Sequence, residues 1–448
     1  MNYKKLFLWS ITVALAGFLF GFDTVVISGA DQALQDLWGS YTLWGSNDLF
    51  HGLVIVSSAL WGTVIGAIFG SIPTDKLGRK NTLIWIGVFY FVSAVGSAFA
   101  TDPWMFAFFR FLGGLGVGAS TIAAPAYVSE IAPPSNRGKL VALYQFNIVF
   151  GILVAFLSNF LLKDIGENAW KWMIGVEAIP ALIYTLMVFT VPKSPRWLLV
   201  NKNDRAQAKR VLEMIDPRGD AEEEIDQILS DHHANSGSKD TIFSKSYRFP
   251  LILAFLIAFF NQFSGINALL YYAPRIFELA GMEKDGAFLS SIGIGVVNLI
   301  FTLIGLSLID RFGRKQLMYI GSVGYIISLS MVAMAFALGW QGIAIPAFLF
   351  LFIAAHAIGQ GTVIWVFIAE IFPNHLRASG QAFGSSVHWV LAAAIPSVVP
   401  IMFAEIGATP VFGLFAFMMV LQLIFVWRMM PETKGKTLEE LGMTMSAS

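Results

Sequence analysis

Long apolar runs separated by short charged segments make up most of the 448-residue chain. A run of roughly 20 apolar residues has the length that an α-helix needs to cross a bilayer. The pattern therefore predicts an all-α membrane protein with twelve transmembrane helices, each placed to within a few residues. The predicted spans are 6–29, 50–72, 81–100, 103–127, 138–162, 170–191, 248–279, 286–309, 316–338, 341–368, 378–404 and 409–429.

Residues 192–247 break this pattern because charged side chains recur along the segment. Such a composition is typical of solvated, short amphipathic helices. The charged residues that mark it are Arg205, Lys209, Arg210, Glu222, Glu223, Glu224 and Asp231. We therefore expect an N-terminal six-helix bundle at 1–191, a linker at 192–247, a C-terminal six-helix bundle at 248–429 and a tail at 430–448.

Two charged patterns occur twice, with the copies about half the chain apart. The copies are DKLGRK at 75–80 and DRFGRK at 310–315, and Glu130 with Arg137 and Glu370 with Arg377. A repeat of this size is too long for a solenoid unit. It predicts two pseudo-symmetric bundles, an architecture that binds its substrate near the bilayer midplane between the halves.

These charged blocks lie at matched ends of matched spans. One interpretation is an orientation signal combined with a tight turn at the glycine. The duplicated acid–base pattern favours a second one, an inter-helix lattice that holds one conformation and breaks in the other. The candidate gating residues are Asp75, Arg79, Glu130, Arg137, Asp310, Arg314, Glu370 and Arg377.

Composition and charge agree with a membrane protein. The chain is 56% hydrophobic and 13% charged, whereas a soluble domain has about 25% charged residues. The absence of Cys excludes disulfides, zinc thiolates and thiol catalysis. A net charge of zero gives no indication of nucleic-acid binding. The first apolar run is too long for a signal peptide and lacks a clear cleavage site, so it reads as the first span.

Lys and Arg are concentrated in the loops on one side of the predicted bundle. The opposite loops hold little beyond Lys163, Lys171 and Lys284. Because positively charged loops stay in the cytoplasm, both termini and the linker are predicted to be cytoplasmic. The positive segments on that side are Lys4 and Lys5, 75–80, Arg137 and Lys139, 192–247, 310–315, Arg377, and Lys434 and Lys436.

Three ionisable residues fall inside apolar runs: Asp23 in span 1, Arg110 in span 4 and Glu177 in span 6. A charge inside the bilayer is expensive and indicates a functional site by default. A static, structural Asp23–Arg110 pair is the alternative. An aspartate that alternates between pairing with arginine and lying in an apolar cavity would change its proton affinity, as a proton-coupled cycle requires.

Several short motifs together resemble the sugar porters of the major facilitator superfamily, over a stretch running from span 1 to the C-terminus. The resemblance implies the major facilitator fold and alternating access to a hexose or pentose site. The motifs are GFDTVVISG at 21–29, DKLGRK at 75–80, RGKL at 137–140, PKSPRW at 192–197, NQFSGIN at 261–267, DRFGRK at 310–315 and PETKG at 431–435.

Among these relatives, the chain is most similar to bacterial proton-coupled symporters of the inner membrane. Their matching positions carry a titrating Asp, an Arg partner and a tuning Glu, which implies proton coupling by Asp23, Arg110 and Glu177. Facilitative glucose carriers usually lack the acid at the position of Asp23. The leading prediction is therefore proton–monosaccharide symport. The alternatives are a facilitative uniporter and a non-transporting sugar receptor.

A sugar offers hydroxyl groups all round, and amides suit it because each both donates and accepts hydrogen bonds. Polar residues that serve only helix packing are the alternative interpretation. Asn267 and Tyr271 share a helix face, whereas Gln262 and Asn267 can converge only if Gly265 loosens the helix. The sugar-binding residues that the resemblance implies are Gln145, Gln262, Asn267, Tyr271, Asn298 and Trp365.

The chain also departs from the family pattern. Asn261 replaces the usual Gln and is kept as a sugar-binding candidate. His388, beside Trp389 in span 11, stands where relatives often carry Gln or Asn, so it is a sugar ligand, a second titrating group or a packing residue; Trp389 is a candidate with it. Lys193 replaces the usual Glu of a Pro-Glu-Ser-Pro motif, so the N-terminal latch should differ.

Span 10 lacks the proline of its relatives, so Gly359 and Gly361 are expected to supply its flexibility. The partners expected are a monosaccharide, protons and membrane lipid, with no nucleic acid, for a monomeric chain. The sequence holds no phosphate loop, metal-ligand cluster or nucleophile constellation, so no enzyme, metal or cofactor is predicted. It does not say which sugar is carried.

Overall fold

The computed structural model describes residues 3–132, 137–217, 219–235, 241–340, 342–373 and 376–435, with the side chains of 3, 137–139, 141 and 231–235 left aside. Within these ranges the chain is helical and forms no β-strand. The helices are α1 Tyr3–Leu37, α2 Asn47–Phe50, α3 Ser58–Phe69, α4 Ser71–Lys76, α5 Arg79–Ala98, α6 Pro103–Ile131, α7 Arg137–Leu162, α8 Ala169–Gly175, α9 Ala178–Val188, α10 Pro195–Lys202, α11 Arg205–Ile215, α12 Ala221–Asn235, α13 Arg248–Phe263, α14 Ile266–Leu279, α15 Lys284–Phe312, α16 Arg314–Leu338, α17 Ala344–Ile358, α18 Gln360–Glu370, α19 Arg377–Glu405 and α20 Ala408–Arg428.

Across the described residues, eleven helical segments are long and apolar enough to cross a bilayer. The twelfth span is bent by 43° between Asn47–Val56 and Ser58–Phe69. A π-helical turn, His51–Val56, precedes the bend. Gly52 lies in this turn, where a Cβ atom would come within 2.2 Å of the Ser397 carbonyl oxygen. The turn thus brings the two backbones into close contact, and the prediction of twelve spans is confirmed.

Large apolar side chains on the outside of the bundle are exposed, as expected for a surface that faces lipid. The described residues 192–217 and 219–230 instead carry charge, and α11 and α12 are joined by salt bridges from Arg205 and Lys209 to Glu222. The exposed apolar residues include Ile68, Trp85, Phe108, Trp172, Ile183, Ile300, Ile327 and Phe417.

The repeated glycine of the duplicated charged motif has the same role in both halves. Gly78 and Gly313 each have φ of +88° and precede α5 and α16. Side chains other than glycine rarely adopt this conformation. The sequence repeat therefore corresponds to a repeated turn between two spans.

Three of the predicted spans are broken near their middle. Span 6 breaks between α8 and α9 at Val176 and Glu177, and span 7 breaks between α13 and α14 at Gly265, where φ is +82°. Span 10 breaks at Gly359, while Gly361 lies inside α18. The predicted loosening at Gly265 is confirmed, and in span 10 it is Gly359 that interrupts the helix.

Within the first half, α1 packs on α7, and α6 packs on α3 and α5; within the second half, α16 packs on α17 and α20. The halves meet where α1 contacts α14, α7 contacts α15, and α19 contacts α3. Glycines allow the close helix contacts: a Cβ on Gly21 would lie 1.9 Å from the Ile148 carbonyl oxygen.

Polar contacts between the halves lie at the end opposite the linker helices α10–α12. Gln32 donates to Glu278 at 2.9 Å, Gln35 accepts from Arg275 at 2.5 Å, and Lys163 pairs with Asp285 at 2.7 Å. At the linker end, the ion pairs of Arg79, Arg205, Lys209 and Arg314 stay within one half or within the linker. The ion pairs and amide contacts named here therefore join the halves at the end opposite the linker.

Candidate functional site

Asp23 and Arg110 form a buried ion pair between α1 and α6. The Arg110 guanidinium donates to the Asp23 carboxylate through Nη1 and, at 3.0 Å, to the Asp23 backbone carbonyl through Nη2. Their side chains are only 3% and 1% exposed. Asp23 and Arg110, which are 87 residues apart in the sequence and were both candidates from the sequence, are thus in direct contact.

Glu177 lies beside this pair, at the break between α8 and α9. Its side chain is buried, and its Oε1 atom has no hydrogen-bond partner in the described structure. It lies within electrostatic reach of Asp23 and Arg110. One guanidinium can neutralise one carboxylate, so a second buried acid leaves the triad one charge short of neutrality. Binding one proton would remove that imbalance.

The polar cluster on span 7 forms across its break. Asn267 Nδ2 donates to Gln262 Oε1 at 2.8 Å, and Gln262 Nε2 donates to Asn261 Oδ1 at 2.9 Å. Five residues along an unbroken helix would place Gln262 and Asn267 on different faces. The left-handed conformation of Gly265 instead turns α14 so that the two amides meet.

Substituting Gly265 tests how this geometry arises. Gly265→Ala is expected to destabilise the protein and weaken ligand binding about tenfold or more, because a Cβ would approach the Phe415 ring to 2.5 Å in a conformation unfavourable for alanine. Gly413→Ala in α20, where a Cβ meets nothing within 4 Å, is the matched control. Thermal unfolding and calorimetric binding are the measurements. Equal behaviour of both variants would contradict the role of Gly265.

Aromatic rings complete the cluster. The imidazole of His388 lies 5.0 Å from the Trp365 ring and 4.9 Å from the Trp389 ring, centroid to centroid. Gln262 Nε2 lies 3.1 and 3.3 Å from the two imidazole nitrogens. Asn267, Trp365 and His388 are only partly buried, whereas Gln262 is fully buried. These partly buried groups form a surface on which Asn267 and His388 can hydrogen-bond and Trp365 provides an apolar ring face.

Asn298, Gln145 and Tyr271 form no hydrogen bond or ring contact with this cluster in the described part of the chain. Asn298 on α15 accepts from Thr302 at 3.4 Å, and Gln145 on α7 is partly buried. Tyr271 is buried within electrostatic reach of Asp23 and Arg110. The structure therefore brings together Asn261, Gln262, Asn267, Trp365, His388 and Trp389.

The duplicated charged blocks form matching clusters at the linker end. Arg79 pairs with Asp75 at 3.1 Å and with Glu130 at 2.9 Å. Arg314 pairs with Asp310 at 3.4 Å and with Glu370 at 2.6 Å. Each cluster joins three helix ends within one half.

The remaining two gating candidates are not part of these clusters as described. Arg377 begins α19, and its buried Nε atom has no hydrogen-bond partner in the described structure. Arg137 begins α7, but its side chain lies outside the described residues. In this conformation the acids of the repeats are therefore held by Arg79 and Arg314.

The two clusters differ in their third partner. Ser194 donates to Glu130 at 2.5 Å, and Thr433 donates to Glu370 at 2.6 Å. In the second half, Glu432 also accepts from the backbone N–H groups of Arg314 and Lys315 at 2.9 Å. In the first half, Gly78 instead packs against the Trp197 ring. The C-terminal cluster thus has an additional carboxylate.

A second buried ionic cluster, which was not predicted from the sequence, lies at the end opposite the linker. Asp31 lies 2.6 Å from His51 Nε2 and 2.7 Å from Arg275 Nε. The Asp31 and His51 side chains are each 1% exposed. His51 and Arg275 lie inside predicted spans, so the rule that selected Asp23 could have found those two residues, whereas Asp31 lies beyond the predicted end of span 1 at residue 29.

Comparison with known proteins places this geometry in a family. The family model described as "Sugar (and other) transporter" matches residues 9–444. The D-xylose-proton symporter of Escherichia coli (strain K12) is 33% identical, with 98% of this chain and 96% of that protein covered. The arabinose-proton symporter of Bacillus subtilis (strain 168) is 35% identical, with 96% and 93% covered.

A solved structure agrees over the whole chain. The inward-open conformation of the xylose transporter XylE from E. coli has a TM-score of 0.87 and 32% identity, with 98% of this chain and 99% of that chain covered. A second XylE structure, bound to 6-bromo-6-deoxy-D-glucose, has a TM-score of 0.81 at 32% identity, with 99% and 100% covered. The chain therefore belongs to the sugar transporter family and has the major facilitator fold.

Proposed function

We propose that the chain is a proton-coupled monosaccharide symporter that works by alternating access. The observation that carries this proposal is the buried Asp23–Arg110–Glu177 triad, which has one acid more than its single cation can neutralise. A structural ion pair needs no second buried acid, whereas the extra acid gives this triad a group that can hold a proton. Relatives named as xylose–proton and arabinose–proton symporters support the same conclusion.

The proton site and the sugar site communicate through α14. This helix carries Asn267, which bonds to Gln262, and one turn later Tyr271, which is buried within electrostatic reach of Asp23 and Arg110. It also packs on α1, the helix of Asp23. Protonation of Asp23 would release Arg110 and loosen the packing of α1 on α6. Because α1 also packs on α14, a proton can change the position of α14 and of the sugar-binding residues on it.

The ligand set fits a neutral, hydroxyl-rich molecule. The amides of Gln262, Asn261 and Asn267 and the imidazole of His388 can each both donate and accept. Trp365 and Trp389 offer apolar faces to a sugar ring. Asn298, Gln145 and Tyr271 would join this set if the halves close around the sugar. No charged side chain belongs to the described cluster, so an uncharged hexose or pentose suits it best.

For the conformational cycle, we propose 1–191 and 248–429 as the two moving halves, with both termini and the linker in the cytoplasm. The end opposite the linker would then lie on the non-cytoplasmic side, and it is closed by Asp31–Arg275 and its neighbours. The gating clusters Arg79–Glu130 and Arg314–Glu370 remain within their halves, as expected when the cytoplasmic side is open. The similarity to inward-open XylE agrees with this state. A monomeric chain in the inner membrane suffices for this cycle.

Transport into proteoliposomes tests the proposal. Purified protein is expected to accumulate a labelled monosaccharide, chosen from D-xylose, L-arabinose and D-glucose, above its external concentration when an inward proton gradient is imposed. A protonophore should collapse the accumulation. Equilibration without accumulation would support the uniporter alternative, and binding without counterflow would support the receptor alternative.

Two substitutions test the sugar site itself. Gln262→Ala and Trp365→Ala are each expected to weaken binding about tenfold or more, because an unpaired hydroxyl or a lost buried contact costs roughly 1–3 kcal/mol. Asn159→Ala is the control, since this buried amide of α7 bonds to the Val26 carbonyl of α1. Calorimetry on detergent-solubilised protein is the measurement. Wild-type affinity in both variants would place the sugar elsewhere.

A further inference from the structure

The amides of the candidate sugar site continue into the interior as one chain of hydrogen bonds. Five helices of the second half contribute to it: α14, α13, α18, α20 and α16. The bonds, each written from donor to acceptor, are Asn267 to Gln262 at 2.8 Å, Gln262 to Asn261 at 2.9 Å, Asn261 to Gln360 at 3.4 Å, Gln360 to Gln422 at 2.6 Å, Gln422 to Ser322 at 2.8 Å and Ser322 to the Met318 carbonyl at 2.7 Å.

The inner end of the chain fixes its direction. A backbone carbonyl can only accept, so the Ser322 hydroxyl must donate its single proton to the Met318 carbonyl. The Ser322 oxygen can then only accept, so its second partner must be a donor. Gln422 therefore points its NH₂ group to Ser322 and its oxygen to Gln360. The orientations of the Gln360, Asn261 and Gln262 amides are fixed in turn for the same reason, because each amide has one accepting and one donating end.

Burial makes this direction costly to reverse. Gln360, Gln422 and Ser322 are 1%, 0% and 0% exposed, so water does not replace a lost partner. Rotating any one amide by 180° would set oxygen against oxygen and NH₂ against NH₂ in the interior, where unpaired polar groups are strongly disfavoured. The chain is thus held in a single orientation from Ser322 outwards.

At the outer end this orientation decides what Asn267 and Gln262 present. Asn267 commits one N–H to Gln262 and keeps its oxygen and second N–H, and Gln262 directs its NH₂ group toward Asn261 and His388. We propose that Gln360, Gln422 and Ser322 are positioning residues that set the donor–acceptor pattern offered to the sugar. This inference rests on the proposed function, in which Gln262 and Asn267 bind a monosaccharide.

A double-mutant cycle separates this role from simple packing. Gln422→Met keeps the length and volume of the side chain and removes both hydrogen bonds. It is expected to weaken binding of the monosaccharide that the wild type binds best, among D-xylose, L-arabinose and D-glucose, about tenfold. In a Gln262→Ala background the same substitution should cause no further loss of affinity, because the group through which it acts is already gone.

A matched pair of serines on α16 provides the second measurement. Ser322→Ala removes the end of the chain and is expected to weaken binding severalfold. Ser328→Ala removes an equally buried hydroxyl that bonds only to the Gly324 and Tyr325 carbonyls, so it should leave affinity unchanged. Thermal unfolding of both variants shows whether their stabilities are comparable. Ser322→Ala also serves if Gln422→Met does not fold.

The outcomes are distinct. Equal losses of affinity for Gln422→Met with and without Gln262 would overturn the inference and leave Gln422 as a packing residue. Unchanged affinity in both Gln422→Met and Ser322→Ala would also overturn it. If the wild type binds none of the three sugars, the proposed function fails and the positioning role fails with it.

Discussion

Asp23→Asn is expected to abolish accumulation of sugar against its gradient while leaving sugar binding and counterflow in place. An amide cannot take up or release a proton, so uptake would no longer be driven by the proton gradient. The Arg110 guanidinium would keep a buried partner, because Glu177 lies beside it with an unsatisfied oxygen. The variant should therefore fold and still change conformation.

The measurement is labelled-sugar uptake into proteoliposomes with an imposed proton gradient, with counterflow and calorimetric binding on the same preparation. Asp102→Asn is the control, since Asp102 caps the N-terminus of α6 away from the buried triad. Normal accumulation by Asp23→Asn would rule out its role as the proton carrier. Loss of binding together with transport would instead indicate a structural pair, as in the uniporter alternative.

Parts of the site could be predicted where a local signal in the sequence was sufficient. Gln262 and Asn267 can converge only if Gly265 loosens the helix, and glycine in the middle of an apolar run favours such a break. The structure has that break, and the two amides meet. The Asp23–Arg110 pair could be predicted for a similar reason, since a buried charge requires a nearby partner.

The sequence did not predict interactions whose partners can be identified only in three dimensions. The first span was expected to end at residue 29, which placed Asp31 in a loop. α1 instead continues to Leu37, and Asp31 is buried in contact with His51 and with Arg275, the latter in the other half of the chain. Gln360 and Gln422 read as isolated amides inside apolar spans, and only the packing of α18, α20 and α16 shows that they are linked.

The Asp31–Arg275 pair is expected to control the opening of the end opposite the linker. It joins α1 of the first half to α14 of the second, and the Asp31 side chain is almost completely buried. Removing one partner of a buried pair costs about 3–5 kcal/mol, because the other charge stays buried without its ion-pair partner. Without Arg275, Asp31 would keep only its contact with His51 at 2.6 Å. In this protein the cost falls on the closed state alone, since opening that end would expose both groups to water.

Arg275→Gln is therefore expected to shift the equilibrium toward the state open at that end by roughly a hundredfold or more. The chain has no Cys, so a single Cys at Gln32, where the halves meet, can report opening through its rate of labelling by a membrane-impermeant maleimide. Lys163→Gln is the control, because its partners Asp164 and Asp285 are 74% and 77% exposed and solvent screens such pairs.

A further pair of variants distinguishes a gate from a general loss of stability. Asp31→Asn combined with Arg275→Gln leaves no buried unpaired charge, so labelling should fall back toward the wild-type rate. Arg377→Ala, at the linker end, should slow labelling, because it removes a group available to hold that end closed when the opposite end opens. If Arg275→Gln labels no faster than Lys163→Gln, the Asp31–Arg275 pair does not hold this end of the transporter closed.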